Sequence, residues 1–166
     1  DDVISLGVGE PDFDTPWQIR DEGIYSLERG RTFYTSNAGL KELREEICRY
    51  LSRRCKVDYT IDETLITVGG SEAIDLAMRV LLNPGDEVLT FAPYFGEYRA
   101  YVTNYDGILK EVEPDTETFQ PNLKKFEQML SEKTKAVIVN TPNNPTGVIY
   151  SEETIQRRKN SVQASI

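Results

Sequence analysis

Histidine is missing from all 166 residues of the sequence. A Ser-His-Asp triad, a Cys-His nucleophile pair and an HExxH zinc site each need an imidazole, so this chain cannot build any of them. If the chain takes part in catalysis, a cofactor or another kind of side chain must carry the proton transfers.

Cysteine is scarce, and long apolar runs are missing. Cys48 and Cys55 are too few for a structural zinc site and are poorly placed in one helix for a disulfide, so we expect free thiols and no metal. No apolar run approaches the roughly 20 residues that span a bilayer. The sequence also opens without a basic-then-apolar leader, so we expect a cytoplasmic protein.

The charge of the chain is strongly one-sided, with a formal net charge of −9. Such a surface repels phosphate backbones and anionic lipids, so we expect neither nucleic acid nor membrane as a partner. The hydrophobic share of 39% and the charged share of 28% are those of an ordinary soluble domain with a core.

The apolar pattern predicts helices and strands in alternation. Residues 1–16 are rich in Gly, Pro and Asp and predict an extended arm, and a first helix follows from Trp17 to Leu27 until Gly30 breaks it. A second helix carries a single apolar stripe made of Leu40, Leu43, Ile47, Tyr50 and Leu51.

Short apolar runs then alternate with helical patterns. The runs predict strands at residues 65–68, 87–91, 108–112 and 136–140. Strands separated by helices need crossover connections, so we predict an α/β fold with a mainly parallel sheet. Residues 156–166 do not continue the pattern, and with the missing initiator methionine we interpret them as the tail of a truncated or frame-shifted chain.

One turn between a predicted strand and a predicted helix suits an anion. In the segment VGGSEA, two glycines allow close backbone approach, and the amides of Gly70, Ser71 and Glu72 begin the helix. Ser71 can cap that helix and also donate to a phosphate oxygen. The segment is neither a Walker A loop nor a GxGxxG fingerprint, and an ordinary structural turn has the same pattern.

Two further loops follow predicted strands, where ligands of open parallel sheets bind. Asn144 lies in the Pro-rich segment NTPNNPTG, which can hold its amide in a fixed pose. Phe95 follows the strand EVLTF and brings an aromatic ring to the same edge of the sheet. An ordinary Asn-Pro turn and a core aromatic residue are the alternative interpretations.

Four segments in order, GEPDF, YTSNAGLKELR, VGGSEA and NNPTG, give the chain a close resemblance to a known family. From residue 1 to about residue 155 it resembles the fold-type I, class I/II aminotransferases, which depend on pyridoxal 5′-phosphate (PLP). The residues in these segments are most similar to those of the aspartate/aromatic-type branch of the family. The resemblance implies a three-layer, mainly parallel sheet: residues 17–155 form part of the large PLP-binding domain, and the C-terminal small domain is absent.

The resemblance also implies roles for particular residues. The amides of Gly70, Ser71 and Glu72 hold the PLP phosphate, Phe95 stacks on the pyridine ring, and Asn144 hydrogen-bonds the phenolic oxygen of the cofactor.

Two residues near the start of the chain match further positions of the family. The backbone at Gly9 approaches the substrate carboxylate. The Tyr34 hydroxyl reaches the phosphate bound by a neighbouring subunit, which implies a homodimer.

The implied activity is transamination between an L-amino acid and a 2-oxo acid, in amino-acid metabolism and biosynthesis. Family members need a Schiff-base lysine in a Ser-x-Ser-Lys setting, together with Asp, Tyr and Arg residues that lie beyond NNPTG. No lysine of this chain has that setting, so we assign no catalytic residue and expect the 166-residue chain alone to be inactive. The lysines are Lys41, Lys56, Lys110, Lys124, Lys125, Lys133, Lys135 and Lys159.

Three other functions stay open at this point. PLP lyases and cyclopropane-forming synthases share the same motifs. A non-catalytic, dimerising fragment is a second alternative. A nucleotide-binding α/β domain that uses VGGSEA is a third, although no acidic ribose-binding residue follows the second predicted strand.

Overall fold

The computed structural model describes residues 3, 4, 7 and 9–156. The chain divides into two compact units, Asp1–Ile66 and Thr67–Ile166. The tail predicted at residues 156–166 lies outside the described residues except for its first residue. Residues 1, 2, 5, 6 and 8 of the predicted arm lie outside them as well.

The first unit contains the two predicted helices. Helix α1 spans Trp17–Glu28 and α2 spans Lys41–Cys55, and a short 3-10 helix follows at Ile61–Glu63. Gly30 ends α1 as predicted, with φ of 69°. The helical prediction for α2 is confirmed, but none of its residues is buried, so the structure leaves its apolar stripe at least partly exposed.

The strand predicted at residues 65–68 is wrong. The Ile66 amide donates to the Ala38 carbonyl oxygen at 3.0 Å, but no strand of the described chain pairs with this segment. A strand forms only where a neighbour supplies a continuous ladder of hydrogen bonds, which apolar residues alone cannot provide. Gly39 makes this approach possible, because a Cβ atom there would lie 2.5 Å from Cβ of Ile66.

The second unit is an alternation of helices and parallel strands. Its elements are α3 (Gly69–Leu81), β1 (Glu87–Phe91), α4 (Glu97–Thr103), β2 (Ile108–Val112), α5 (Leu123–Met129) and β3 (Thr134–Ile138). The strand order is β2-β1-β3, and both pairings are parallel. The predicted bounds of β1 and β2 are confirmed, whereas β3 begins and ends two residues earlier than predicted. Residues 152–156 form one more helical turn.

The central strand β1 is buried on both faces. Val88 packs with Met78 of α3 and Val102 of α4 on one face of the sheet. Leu89 points to the other face and packs with Phe126 of α5. Alternate residues of a strand point to opposite faces, so helices cover the sheet on both sides. The second unit is therefore a three-layer α/β structure with a parallel sheet, as predicted.

This topology fixes where ligand-facing loops lie. The carboxyl ends of β1, β2 and β3 share one edge of the sheet because the strands are parallel. Helix α3 packs on β1, and the short segment 82–86 joins its last residue to the start of that strand. Helix α3 therefore runs antiparallel to β1, and its first turn lies towards the carboxyl edge.

Membrane-spanning helices, metal-binding groups and disulfides are absent from the described residues. No helix among them combines the length and apolarity needed to cross a bilayer. They contain no group of three or more His, Cys, Asp or Glu side chains placed to hold a metal ion. Cys48 is half-buried and Cys55 is exposed, and both are free thiols as predicted.

Candidate functional site

The first turn of α3 presents unpaired hydrogen-bond donors to solvent. Gly69 turns the chain into the helix with φ of 77°, and its carbonyl oxygen accepts a hydrogen bond from Thr67 Oγ1 at 2.9 Å. Gly70, Ser71 and Glu72 are exposed residues, and the amides of Gly70 and Ser71 have no acceptor within the described chain. The first amides of a helix lack intrahelical partners and carry the positive end of its dipole, so this turn can bind an anion.

Two side chains at this turn behave differently from the sequence-based expectation. The N-cap residue is Val68, and Ser71 lies inside the helix, so the prediction that Ser71 caps the helix is wrong. The Glu72 carboxylate instead accepts a hydrogen bond from the Val68 amide. Glu72 therefore closes the turn with its side chain.

The loop after β1 and the first turn of α4 together carry a cluster of three aromatic rings. Phe95 is half-buried and meets the ring of Tyr98 edge-on, with centroids 5.8 Å apart. Tyr98 also stacks on Tyr94, with centroids 6.1 Å apart and planes 7° from parallel. Both geometries are favourable for aromatic pairs, so Tyr98 supports Phe95 and Tyr94 together.

A hydrogen-bonded network fastens this loop to the neighbouring strand β2. The Tyr94 hydroxyl donates to Glu111 Oε1 at 2.9 Å, and the Arg99 guanidinium donates to the Tyr94 oxygen at 3.3 Å while it pairs with Glu111. Burial first, and then the Glu111 carboxylate, raise the pKa of Tyr94 above its ordinary value of 10.0. The phenol therefore remains a donor at neutral pH. Sequence analysis missed this network.

The loop after β3 is organised around Asn143, which is only 7% exposed. Its Oδ1 accepts hydrogen bonds from the Thr146 amide at 3.2 Å and from the Thr146 hydroxyl at 2.8 Å. Its Nδ2 lies 3.2 Å from the Tyr150 hydroxyl oxygen and 3.3 Å from the Pro93 carbonyl oxygen. One buried amide therefore joins the loop after β3 to the loop after β1. Sequence analysis did not identify Asn143.

Asn144 is oriented quite differently from its neighbour. Its backbone amide donates to Asn140 Oδ1 at 2.8 Å, which closes a turn. Its side chain is exposed, and no residue that the structure describes hydrogen-bonds it. The Asn144 side-chain amide is therefore free to bind a ligand, and the role predicted for it remains a prediction.

Three predicted features come from one edge of the second unit. Because the sheet is parallel, three features lie towards its carboxyl edge: the first turn of α3, Phe95 after β1 and Asn144 after β3. The hydrogen bond from Asn143 to Pro93 joins the loop that carries Asn144 to the loop that carries Phe95. An anion cradle, an aromatic ring and a free amide suit a flat ligand that carries a phosphate group.

Gly9 and Tyr34 belong to the first unit. Gly9 is exposed, with open space where a Cβ atom would lie. The Tyr34 side chain is fully exposed. The roles predicted for them, at a substrate carboxylate and at a neighbouring subunit, remain predictions.

Comparison with known proteins finds relatives that match this chain over most of its length. The family model described as aminotransferase class I and II matches residues 1–162. YugH of Bacillus subtilis is 50% identical over 153 residues, which cover 91% of this chain and 40% of that protein. The aspartate aminotransferase of Thermotoga maritima is 41% identical over 157 residues, which cover 94% of this chain and 42% of that enzyme.

Solved structures agree with the relatives found by sequence. The aspartate aminotransferase of Thermotoga maritima matches with a TM-score of 0.93 and 38% identity, over 99% of this chain and 44% of the other. The aromatic aminotransferase of Pyrococcus horikoshii matches with a TM-score of 0.94 and 34% identity, over 99% and 45%.

The chain thus spans about 40% of the length of the curated relatives it matches. The family model nevertheless matches nearly every residue of it. The chain belongs to the class I and II aminotransferase family.

Proposed function

We propose that the complete protein transfers an amino group from an L-amino acid to a 2-oxo acid with PLP as its cofactor. In this proposal the second unit holds the cofactor by its phosphate, its ring and its phenolic oxygen. The observation that carries the proposal is the exposed first turn of α3, in which the amides of Gly70 and Ser71 have no acceptor in the described chain.

The residues of the site fit PLP. The phosphate needs several donors and a positive potential, and the first turn of α3 offers both. The pyridine ring needs a flat apolar surface, and Phe95 can supply one. The phenolic oxygen needs a donor, and the Asn144 side chain has no other partner in the described chain. When bound, PLP supplies the electron sink that stabilises negative charge on the α-carbon of an amino acid.

Each residue has a limited physical task in this scheme. The three amides anchor the phosphate and so fix one end of the cofactor. Phe95 limits the tilt of the ring. Asn144 donates to the phenolic oxygen and favours its deprotonated form, because a hydrogen bond to a charged form lowers the pKa of the group.

The remaining predictions enter as parts of the same proposal. Residues 17–155 contribute to the large domain, Gly9 meets the substrate carboxylate, and Tyr34 reaches a second subunit in a homodimer. No lysine of this chain has the setting that the family uses, so the Schiff-base lysine belongs to the remainder of the protein. The chain by itself is then inactive. Since matching relatives are named for aspartate or for aromatic substrates, we propose no narrower class than L-amino acids.

Two measurements on the complete protein test the proposal. The first compares binding of PLP with binding of pyridoxal, which lacks the phosphate, and we expect PLP to bind at least about 100-fold more tightly because several charge-assisted hydrogen bonds are lost. The second supplies an amino acid and 2-oxoglutarate and measures formation of glutamate. Release of pyruvate or ammonia without glutamate would show a lyase, and equal binding of pyridoxal would refute the phosphate site.

A further inference from the structure

Among the described residues of the second unit, Asn143 has the most completely paired polar side chain, although the proposed function gives it no contact with the cofactor. It is 7% exposed, and its amide group makes four hydrogen bonds. Both donors and both acceptor positions of the amide are used, so it has no capacity left for a ligand. An amide saturated in this way has a different task from its exposed neighbour Asn144.

The backbone of Asn143 is fixed as firmly as its side chain. Its amide donates to the Val148 carbonyl oxygen at 2.9 Å, and its carbonyl oxygen accepts from the Gly147 amide at 2.7 Å. The direction in which the chain leaves Asn143 is therefore determined before Asn144 begins. Within the part of the chain that the structure describes, Asn144 itself is held by the bond from its backbone amide to Asn140.

The same side chain reaches the other ligand-facing loop. Nδ2 of Asn143 donates to the carbonyl oxygen of Pro93, two residues before Phe95. From the opposite side, the loop is held by the Tyr94 hydrogen bond to Glu111. Without the bond from Asn143, the hydrogen bonds that fix the Pro93 end of the loop would come from β2 and α4 alone.

We infer that Asn143 is a positioning residue that sets the Asn144 amide and the Phe95 ring relative to each other. The inference rests on the proposed function, because it assumes that both groups face PLP. The Asn143 amide joins the two loops and fixes the distance between the Phe95 ring and the Asn144 amide, so that both can contact the cofactor at the same time. Disturbing Asn143 should therefore change both contacts together, although it touches neither.

The test uses the complete protein loaded with PLP. N143A removes all four side-chain bonds, and N144A removes the proposed ligand contact directly. Y150F is the matched control, because it removes one buried partner of the Asn143 amide but leaves the bonds to Pro93 and Thr146 intact. Should N143A not fold, N143S serves as the second variant, since it keeps a small polar group at the same place.

The decisive readout is the pH midpoint at which the visible absorbance of the bound cofactor changes. Loss of a hydrogen bond to the deprotonated phenolic oxygen raises that midpoint, by about one pH unit for one bond. We expect N144A and N143A each to raise it by about this amount, and Y150F to leave it within about 0.2 units while lowering the melting temperature. The double variant N143A/N144A should have the midpoint of N144A, because the hydrogen bond to the phenolic oxygen, which sets the midpoint, is already absent.

The outcomes separate this inference from the function on which it rests. If N144A raises the midpoint and folded N143A or N143S does not, the positioning role is refuted and the proposed function stands. An additive shift in the double variant would also refute the role, because it would mean that Asn143 acts independently of Asn144. If N144A and F95A both leave PLP binding and the spectrum of the bound cofactor unchanged, the proposed contacts of Asn144 and Phe95 with PLP are refuted, and the positioning role of Asn143 is refuted with them.

Discussion

The proposed phosphate cradle consists of the backbone amides of Gly70, Ser71 and Glu72. A substitution can remove the Gly70 amide from it while little else changes. Gly70 is the second residue of α3, and its N–H has no acceptor in the described chain. Proline is tolerated in the first turn of a helix, where its missing N–H costs no intrahelical bond. The variant G70P therefore deletes one donor of the cradle and keeps the helix.

A control variant at the same position isolates the donor. In G70A the N–H is retained, and the added Cβ atom meets nothing within 4 Å. Alanine also favours the helix over glycine by about 1 kcal/mol, so G70A should be no less stable than the parent protein. Any difference between G70P and G70A in cofactor binding then reports mainly on the missing N–H.

The size of the effect follows from the charge on the acceptor. A hydrogen bond to a charged group contributes about 1.5–3 kcal/mol, which corresponds to roughly a 10- to 150-fold change in the dissociation constant. Two of the three amides remain in G70P, so PLP should still bind. We expect G70A to bind PLP within about threefold of the parent protein, since a few tenths of a kcal/mol lie within ordinary surface effects.

Pyridoxal supplies the second half of the assay. Titration of the apo form of the complete protein, followed by absorbance, gives dissociation constants for PLP and for pyridoxal with each variant. The loss in G70P should appear for PLP and be absent for pyridoxal, because pyridoxal has no phosphate to lose a partner. An equal loss for both ligands would mean that proline disturbed the fold, and no loss for PLP would refute the cradle.

Three further predictions follow from the contacts of single residues. F95A should weaken PLP binding about 10-fold, whereas F95W, which keeps a stacking surface, should stay within about threefold in the same titration. Y94F removes the hydrogen bond to Glu111 and should lower the free energy of unfolding in urea by about 1 kcal/mol. The hydrogen bond from Lys110, with a further one from Ser131, holds the pKa of Glu87 below its ordinary value of 4.5. Its stabilising contribution is therefore present above about pH 4.5 and is lost as the pH falls through the lowered pKa, so E87Q should be less stable than the parent protein at pH 7, and this difference should shrink as the pH falls below about 4.5.

Local patterns in the sequence predicted much of the second unit. The bounds of β1 and β2 follow from short apolar runs between turn residues, and both were correct. The segment 65–68 has the same kind of run and forms no strand. The difference lies in pairing, because β1 has a neighbouring strand on each side, whereas the described contact of segment 65–68 with a distant part of the backbone is the hydrogen bond that the Ile66 amide donates to the Ala38 carbonyl oxygen. Pairing depends on distant residues and is not encoded in the run itself.

The candidate site shows the same division between local and distant information. Gly70 and Asn144 could be proposed for the site because a Gly-Gly turn and an Asn-Pro loop are local signals. Asn143 was missed because adjacent asparagines look alike until the fold buries one and exposes the other. The partner of Tyr94, Glu111, lies on another strand, and no spacing rule links the two residues.

The most direct test of the account is a crystal structure of the complete protein with PLP bound. We predict phosphate oxygens within about 2.7–3.2 Å of the backbone nitrogens of Gly70, Ser71 and Glu72, the normal range for an N–H···O hydrogen bond. A phosphate bound elsewhere, with these three amides still facing solvent, would contradict it.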